Sequence, residues 1–326
     1  MASPQKSTNG RSSIRPAALR GAFRLLSRVS PALAAEAASR LFLRVPRVPR
    51  PRGEAAAFLA SGEAFPVAHA GARLAAWTWG RGPAVVLVHG WGGRGAQMRA
   101  FVPALVAAGY RAVVFDGPAH GASEGRSTSL PAFAGAITAV ARAADARAVI
   151  AHSMGGASTL LALSRGLPLS RAVVLAAPSS PERIWNRYVA ALGLPGPVAA
   201  GARQRLEGKV GTGFAELGAA QVAPRVATPV LVVHDVDDAE VPWASGDEIA
   251  RALSGARLET TRGLGHRRIL RDPGVVASAV GFLEEDVVPA RCAGCRHALG
   301  SSGTDDFCGT CVLGRELFER ERRFAA

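Results

Sequence analysis

Ser153, Asp238 and His266 are the residues whose types and surroundings suit nucleophilic catalysis. A serine hydroxyl is a weak nucleophile unless a neighbouring base accepts its proton. A histidine serves as such a base, and a carboxylate fixes the imidazole tautomer and stabilises the imidazolium. Each of the three follows a predicted strand, so a parallel sheet would bring them to one edge. The chemistry expected of this set is acyl transfer.

The surroundings of Ser153 predict a sharp turn between a strand and a helix. The apolar run 148–150 leads into Ala-His-Ser-Met-Gly-Gly, with Ala151 two residues before the serine and Gly155 two residues after it. Small residues at these positions permit the strained turn that exposes a nucleophilic serine. A single match of this kind is a weak signal, so the remaining parts must follow in the right order.

The remaining parts do follow in that order. A strand predicted at 229–234 leads into three aspartates, Asp235, Asp237 and Asp238, and the residues alone leave open which of them is the acid. A further strand predicted near 256–262 precedes Gly-His, which supplies the histidine. The order serine, acid, histidine differs from the orders of chymotrypsin-like and subtilisin-like enzymes.

These motifs resemble those of serine hydrolases with the α/β-hydrolase fold, over roughly residues 63–285. The matching strings are His89–Gly93, Asp116–Gly121, His152–Gly156, Asp238 with Val241-Pro242, and Gly265-His266. In that family the acid lies three residues before the Val-Pro pair, which selects Asp238. The resemblance also implies an ester, thioester or amide substrate, because relatives that cleave halides or epoxides carry an aspartate in place of the serine. Hydrolysis of a C–C bond stays open.

Two backbone N–H groups are expected to form the oxyanion hole. Met154 opens the helix after the serine, so its N–H points at the developing charge with the helix dipole behind it. The resemblance implies the N–H of Trp91, in the Gly-rich loop, as the second donor. We expect the substrate pocket to include the side chains of Trp91, Trp185, Tyr188 and Leu264. Asp116 is interpreted as a loop-capping carboxylate.

The alternation of apolar strands and helices predicts an α/β fold with a mostly parallel, twisted sheet covered on both faces. Strands are predicted near 84–89, 111–115, 147–152, 171–177, 229–234 and 256–262, and helices near 95–108, 130–144, 154–166, 243–254 and 273–285. The interval 179–228 is longer than a crossover requires, so we expect a short helical cap there, within a hydrolase domain of residues 53–288.

The basic charge is concentrated in residues 1–52, an N-terminal arm. These residues carry +10 of the net charge of +14, and two amphipathic helices are predicted between 16 and 45. The helices would pack on the domain, adsorb to an anionic membrane surface or act as an organelle transit peptide. The proline-rich stretch 45–52 is typical of an extended linker.

The C-terminal segment 289–326 has the spacing of a zinc site. Its four cysteines, with the pattern C-x2-C-x12-C-x2-C, are Cys292, Cys295, Cys308 and Cys311. Two such pairs suit one tetrahedral zinc ion, and four thiolates leave no open position, so the metal would be structural, as in a zinc ribbon. A redox or disulfide role is the alternative. No cofactor is expected for catalysis.

The favoured function is cleavage of a small ester or thioester through an acyl-enzyme. The alternative is a catalytically silent protein of the same fold that recruits protein or nucleic acid through the zinc segment and the basic arm. Nucleic acid is disfavoured because no basic patch with interleaved aromatic residues is visible. We expect a cytoplasmic protein, because no apolar run approaches the roughly 18–20 residues of a membrane span and the first residues lack a signal-peptide pattern. Contact with a membrane surface through the basic arm is compatible with that compartment.

Overall fold

The computed structural model describes residues 16–46 and 48–285. The predicted zinc ligands, Cys292, Cys295, Cys308 and Cys311, lie outside the described residues. Within these, the strands are β1 (Glu63–Ala64), β2 (Val67–His69), β3 (Ala72–Leu74), β4 (Ala76–Trp79), β5 (Ala84–Val88), β6 (Arg111–Phe115), β7 (Ala146–His152), β8 (Arg171–Leu175), β9 (Val230–Asp235) and β10 (Arg257–Thr261).

Eight of these strands form one sheet in the order β1-β4-β6-β5-β7-β8-β9-β10. The six strands from β6 to β10 are parallel to their neighbours, whereas β4 pairs antiparallel with β1 and β6. The short strands β2 and β3 form a separate hairpin. Strands β5 and β8 are buried at every residue, as expected for parallel strands covered on both faces. The prediction of a mostly parallel sheet is confirmed.

The helices that the structure describes are α1 (Pro16–Val29), α2 (Pro31–Leu43), α3 (Glu54–Ala60), α4 (Phe101–Ala107), α5 (Leu130–Ala143), α6 (Met154–Ser164), α7 (Pro181–Leu192), α8 (Gly196–Val210), α9 (Ala219–Val222), α10 (Ala244–Ala252), α11 (Gly265–Arg268) and α12 (Pro273–Glu284). None of them is both long and apolar enough to cross a membrane. The helix predicted near 95–108 is instead a 3-10 turn, Gly95–Met98, followed by α4.

The parallel strands end at one edge of the sheet, and the loops after them carry the predicted chemistry. Strand β7 ends one residue before Ser153, β9 ends three residues before Asp238, and α11 with His266 follows β10. Because β7, β8, β9 and β10 are consecutive in the sheet, these three residues are brought to the same edge.

A second group of helices, α1, α2, α7 and α8, packs around its own apolar core, and we call it the four-helix cap. Local sequence signals define its helices: Ser30 and Ser180 cap α2 and α7 with their hydroxyl oxygens, each followed by proline, and Gly193 ends α7 in a left-handed conformation. Helix α2 crosses α8 closely through small residues, and the Cβ of Ala35 lies 3.4 Å from where a Cβ on Gly201 would stand.

Side-chain contacts also join the N-terminal helices to the helices of the predicted cap. The Arg20 Nε donates to the Ala191 carbonyl at 3.1 Å, and the Tyr188 hydroxyl donates to the Ala38 carbonyl at 2.7 Å. Lys209 Nζ lies 2.8 Å from a Glu36 oxygen. The described residues up to 280, α1 and α2 among them, belong to one compact unit. Of the alternatives for the arm, packing on the domain is the arrangement observed.

Candidate active site

Ser153 occupies a strained turn between β7 and α6. Its backbone has φ 53° and ψ −125°, a conformation that residues other than glycine rarely adopt. The serine N–H donates to the Leu175 carbonyl at 2.8 Å, which ties the turn to β8. A Cβ on Gly155 would lie 2.5 Å from the His89 carbonyl oxygen, so the turn requires glycine there. The backbone strain at Ser153 and the close packing at Gly155 together fix the position of the Ser153 hydroxyl.

The side chains of Ser153, His266 and Asp238 are in continuous contact. The Ser153 Oγ lies 3.0 Å from His266 Nε2, and His266 Nδ1 lies 2.7 Å from Asp238 Oδ2. An ionised carboxylate only accepts hydrogen bonds, so Nδ1 carries the imidazole proton and Nε2 faces the hydroxyl with its lone pair. This geometry suits transfer of the hydroxyl proton to the imidazole.

The Asp238 carboxylate is buried and held by its own loop. Its Oδ1 accepts hydrogen bonds from the backbone N–H groups of Glu240 and Val241, both at 2.8 Å. Burial alone raises the pKa of Asp238, but the contacts with His234, His266 and the Val241 N–H outweigh it, and the pKa lies well below its ordinary value. The residue therefore stays ionised next to the imidazole.

The other two aspartates of this segment position the loop that carries the histidine. The Asp235 carboxylate accepts hydrogen bonds from the Thr261 hydroxyl at 2.7 Å and from the Leu264 N–H at 3.0 Å. The Asp237 carboxylate accepts one from the Gly263 N–H at 2.9 Å. The structure thus brings Asp238, and neither Asp235 nor Asp237, to the imidazole.

His152 is a positioning residue whose contact with the site the sequence did not reveal. Its Nε2 lies 2.8 Å from the backbone carbonyl of His266, which makes Nε2 the protonated nitrogen. Burial, followed by the proximity of His266, lowers the pKa of His152 to about 3, so the ring is neutral. The only signal in the sequence that could have indicated this contact is the position of His152 next to the serine.

Two further buried histidines brace the Gly-rich loop after β5. The Gly117 N–H donates to His89 Nε2 at 2.8 Å, while His89 Nδ1 donates to the Gly90 carbonyl at 2.7 Å. The Gly92 N–H donates to His120 Nε2 at 3.0 Å. Burial lowers the pKa of each ring to about 4, which keeps both neutral and able to accept these N–H groups.

The predicted oxyanion donors flank the serine. Among the residues that the structure describes, no group accepts a hydrogen bond from the backbone N–H of Trp91 or Met154. The loop approaches so closely that a Cβ on Gly90 would lie 2.8 Å from the Ser153 Cβ. Asp116 caps this region through the Gly95 N–H at 2.7 Å, in keeping with its interpretation as a structural carboxylate.

A cavity of about 870 Å³ opens from the serine into the four-helix cap. Of the predicted pocket residues, Trp91 and Tyr188 line it. Trp185 does not: its ring is 4 % exposed and packs edge-on against Phe42, with centroids 5.3 Å apart, in the cap core. Leu264 does not line it either, because its loop is drawn to Asp235 through its N–H.

No group of three or more His, Cys, Asp or Glu side chains is arranged as metal ligands within residues 16–46 and 48–285. The four cysteines of the predicted zinc segment fall outside that part of the chain, so the zinc hypothesis stays a prediction.

A family model described as the alpha/beta hydrolase family matches residues 85–279, more than half of the chain. The chain belongs to the alpha/beta hydrolase family. A comparison with curated proteins gives no match. The match begins at residue 85, after α1 and α2 have ended, so these two helices lie outside the part of the chain that the family model matches.

Solved structures share this fold. Rv0554 from Mycobacterium tuberculosis is 25 % identical, with a TM-score of 0.52, and the alignment covers 65 % of this chain and 92 % of that one. A hydrolase from Pseudomonas aeruginosa is 23 % identical, with a TM-score of 0.54 and coverage of 69 % and 99 %. An esterase from Exiguobacterium antarcticum is 18 % identical, with a TM-score of 0.53 and coverage of 67 % and 98 %. About a third of this hydrolase thus lies outside the shared fold.

Proposed function

We propose that this hydrolase cleaves an ester or thioester of a small molecule through an acyl-enzyme, with Ser153, His266 and Asp238 as a catalytic triad. The observation that carries the proposal is the continuous contact from hydroxyl to imidazole to carboxylate, at 3.0 and 2.7 Å, at the end of an apolar cavity. A serine nucleophile of this kind forms a covalent acyl intermediate.

Acylation begins when the Ser153 Oγ attacks the substrate carbonyl carbon and its proton passes to His266 Nε2. The negative charge that develops on the carbonyl oxygen is stabilised by the N–H groups of Trp91 and Met154. The C–O or C–S bond to the leaving group then breaks, and the imidazolium returns its proton to the departing oxygen or sulfur. Asp238 stays ionised and stabilises the imidazolium.

Deacylation repeats these steps with water. His266 Nε2 accepts a proton from a water molecule whose oxygen attacks the acyl carbon, and the same N–H groups receive the charge. When the bond to the Ser153 Oγ breaks, the imidazolium protonates that oxygen. The products are a carboxylic acid and the free enzyme, and no cofactor is required for this sequence.

Replacement of the nucleophile tests the proposal. Ser153→Ala is expected to lower kcat for p-nitrophenyl butyrate by about 10⁴- to 10⁶-fold, and a fluorophosphonate probe should label the wild type at Ser153. Ser164→Ala, a matched change in α6, should leave kcat within about twofold. Full activity of Ser153→Ala would overturn the proposal, and absence of labelling and turnover in the wild type would favour the silent binding protein.

We also propose that the tip of the α1–α2 hairpin contacts an anionic membrane surface. Leu25, Val29 and Leu33 are 64 %, 75 % and 62 % exposed, and the exposed Arg24 and Arg28 alternate with them. Apolar side chains among cations suit insertion between anionic headgroups. The protein should sediment with vesicles that contain phosphatidylglycerol, and the double variant Leu25→Glu, Val29→Glu should not. Equal sedimentation of both proteins would contradict this.

For the C-terminal segment we propose one structural zinc ion held by Cys292, Cys295, Cys308 and Cys311, with the cytoplasm as the compartment that keeps the thiols reduced. The purified protein should then contain one zinc per chain, and Cys308→Ser should lose it without a change in ester hydrolysis. A zinc content near zero in the wild type would contradict the proposal.

A further inference from the structure

The cavity beside Ser153 is built from two parts of the chain that are far apart in sequence. One wall comes from the cap insertion, through Ile184, Tyr188 and Leu192. The facing residues come from the N-terminal helices, which place four apolar side chains on the cavity: Leu19, Leu41, Phe42 and Leu43. The hairpin of α1 and α2 therefore completes the enclosure that begins at the nucleophile.

The hairpin is fixed against the insertion, so this wall has a definite position. The ring of Phe42 packs edge-on against Tyr188, with centroids 5.0 Å apart, and the Tyr188 hydroxyl donates to the Ala38 carbonyl at 2.7 Å. At the end of α2 the chain pairs with the loop before α5, where the Thr128 N–H donates to the Leu43 carbonyl at 3.0 Å. Thr128 is itself a cavity residue.

We infer from this juxtaposition that the α1–α2 hairpin forms the far wall of an acyl-binding site, and that the physiological substrate carries a long apolar acyl group. The inference rests on the proposed ester or thioester hydrolysis and deepens it. A volume of about 870 Å³ lies toward the upper end of the roughly 300–1,000 Å³ that ligand pockets span. An acetyl group would leave most of this apolar space unfilled.

The acyl-length profile of the full chain tests the substrate class. We expect kcat/KM of p-nitrophenyl esters to rise about three- to fourfold for each methylene that the cavity buries, which amounts to roughly a hundredfold between butyrate and octanoate. A profile that is flat or that falls with acyl length would overturn the inference.

A change in the hairpin tests the position of the wall. Leu41→Trp should reduce the cavity and lower the ratio of kcat/KM for octanoate to that for acetate by about tenfold. Ala32→Trp, which adds a ring of the same size at an exposed position of the same helix, should leave the ratio unchanged. Equal ratios in the two variants would overturn the role of the hairpin.

Two further measurements keep the test decisive. If Leu41→Trp fails to fold, Leu43→Ala enlarges the site instead and should raise the ratio of dodecanoate to octanoate; an unchanged ratio would count against the wall. Failure of the proposed function looks different, because ester hydrolysis would then survive Ser153→Ala or be absent from the wild type at every acyl length. Hydrolysis that depends on Ser153 but is insensitive to acyl length would overturn only the inference.

Discussion

The central sheet and the four-helix cap both enclose apolar cores, but they assemble them from the chain in different ways. Strands β7 to β10 are adjacent in the sheet in the same order as in the sequence, and the residues between them form covering helices. The cap joins helices of residues 16–43 to helices of residues 181–210. The sheet is therefore built from strands that follow one another along the chain, whereas the cap forms only when helices distant in the sequence meet.

This difference corresponds to a division of labour between chemistry and selection. The edge of the sheet fixes the proposed nucleophile, base and acid through short backbone contacts within neighbouring loops. The cap contributes none of these groups and instead lines the cavity beside Ser153, where we propose that the substrate binds. We therefore expect changes at the sheet edge to lower kcat, and changes in the cap to alter the acyl preference and the local stability.

Among the changes that compare the two regions, the largest effect is expected at the acid. In Asp238→Asn the amide cannot hold His266 in the tautomer that presents Nε2 to the serine, so kcat should fall by about 10⁴-fold while the acyl preference stays as in the wild type. Asp237→Asn, which alters only the contact with Gly263, should change kcat by no more than a few fold. Steady-state kinetics with butyrate and octanoate esters measure both. A changed acyl preference in Asp238→Asn would contradict the assignment of substrate selection to the cap alone.

A second, smaller effect separates the two cores. Trp185→Ala removes a buried ring from the cap and should cost about 3–5 kcal/mol of stability there. Hydrogen exchange should become faster in α1, α2, α7 and α8 while β5 and β7 stay protected. Trp243→Ala, at a half-buried ring bonded to Thr260 beside the sheet, should leave exchange in the cap unchanged. Equal loss of protection in both regions would show a single cooperative core.

Acid provides the most general contrast, because it acts through several buried side chains at once. The pKa of His89 and His120 is lowered to about 4 and that of His152 to about 3, so the unfolded chain binds more protons than the folded one below about pH 6.5. The free energy of unfolding should fall as the pH decreases from 6.5 toward 4, by roughly 2 kcal/mol at pH 5 for His89 alone. Asp238 does not lower the stability in this pH range. Because its pKa is lowered in the folded protein, its stabilising effect is lost only below pH 3.8, the ordinary pKa of the group.

Urea unfolding at pH 7.5 and pH 5.0 measures this loss. His152→Gln retains a donor for the His266 carbonyl and does not titrate, so the pH dependence should become shallower in that variant. The four cap helices contain no histidine, and their exchange should respond least to acid. An unfolding free energy that is the same at both pH values would contradict the assignment of these rings as neutral.

The sequence predicted the sheet and the three side chains that meet at its edge because the signals for these features are local. The apolar runs, the small residues around Ser153 and the glycines of the loop at 89–93 each act within a few residues of the group they position. The resemblance selected Asp238 from three aspartates, and the Val241 N–H bound to its carboxylate supplies the physical reason for that spacing.

The pocket was predicted less well because it depends on distant packing. Trp185 and Tyr188 are three residues apart on one helix, yet only Tyr188 faces the cavity, since Phe42 from the N-terminal hairpin covers Trp185. Nothing near Trp185 in the sequence indicates that partner. For the same reason the sequence left open whether the N-terminal hairpin packs on the domain. The Leu264 side chain was expected in the pocket, but it is the backbone N–H of Leu264 that makes a contact, with the Asp235 carboxylate.

The bond from Arg20 to the Ala191 carbonyl spans 171 residues, and that distance constrains how the chain is made. Helices α1 and α2 emerge from the ribosome before α7 and α8, which cover their apolar faces, and α8 is complete only at Val210. At about 5–20 residues per second, Phe23 and the alanines of α2 wait roughly ten to thirty seconds for their partner. The apolar face of the α1–α2 hairpin is therefore uncovered while the rest of the chain is made, and its burial can only follow the synthesis of α8.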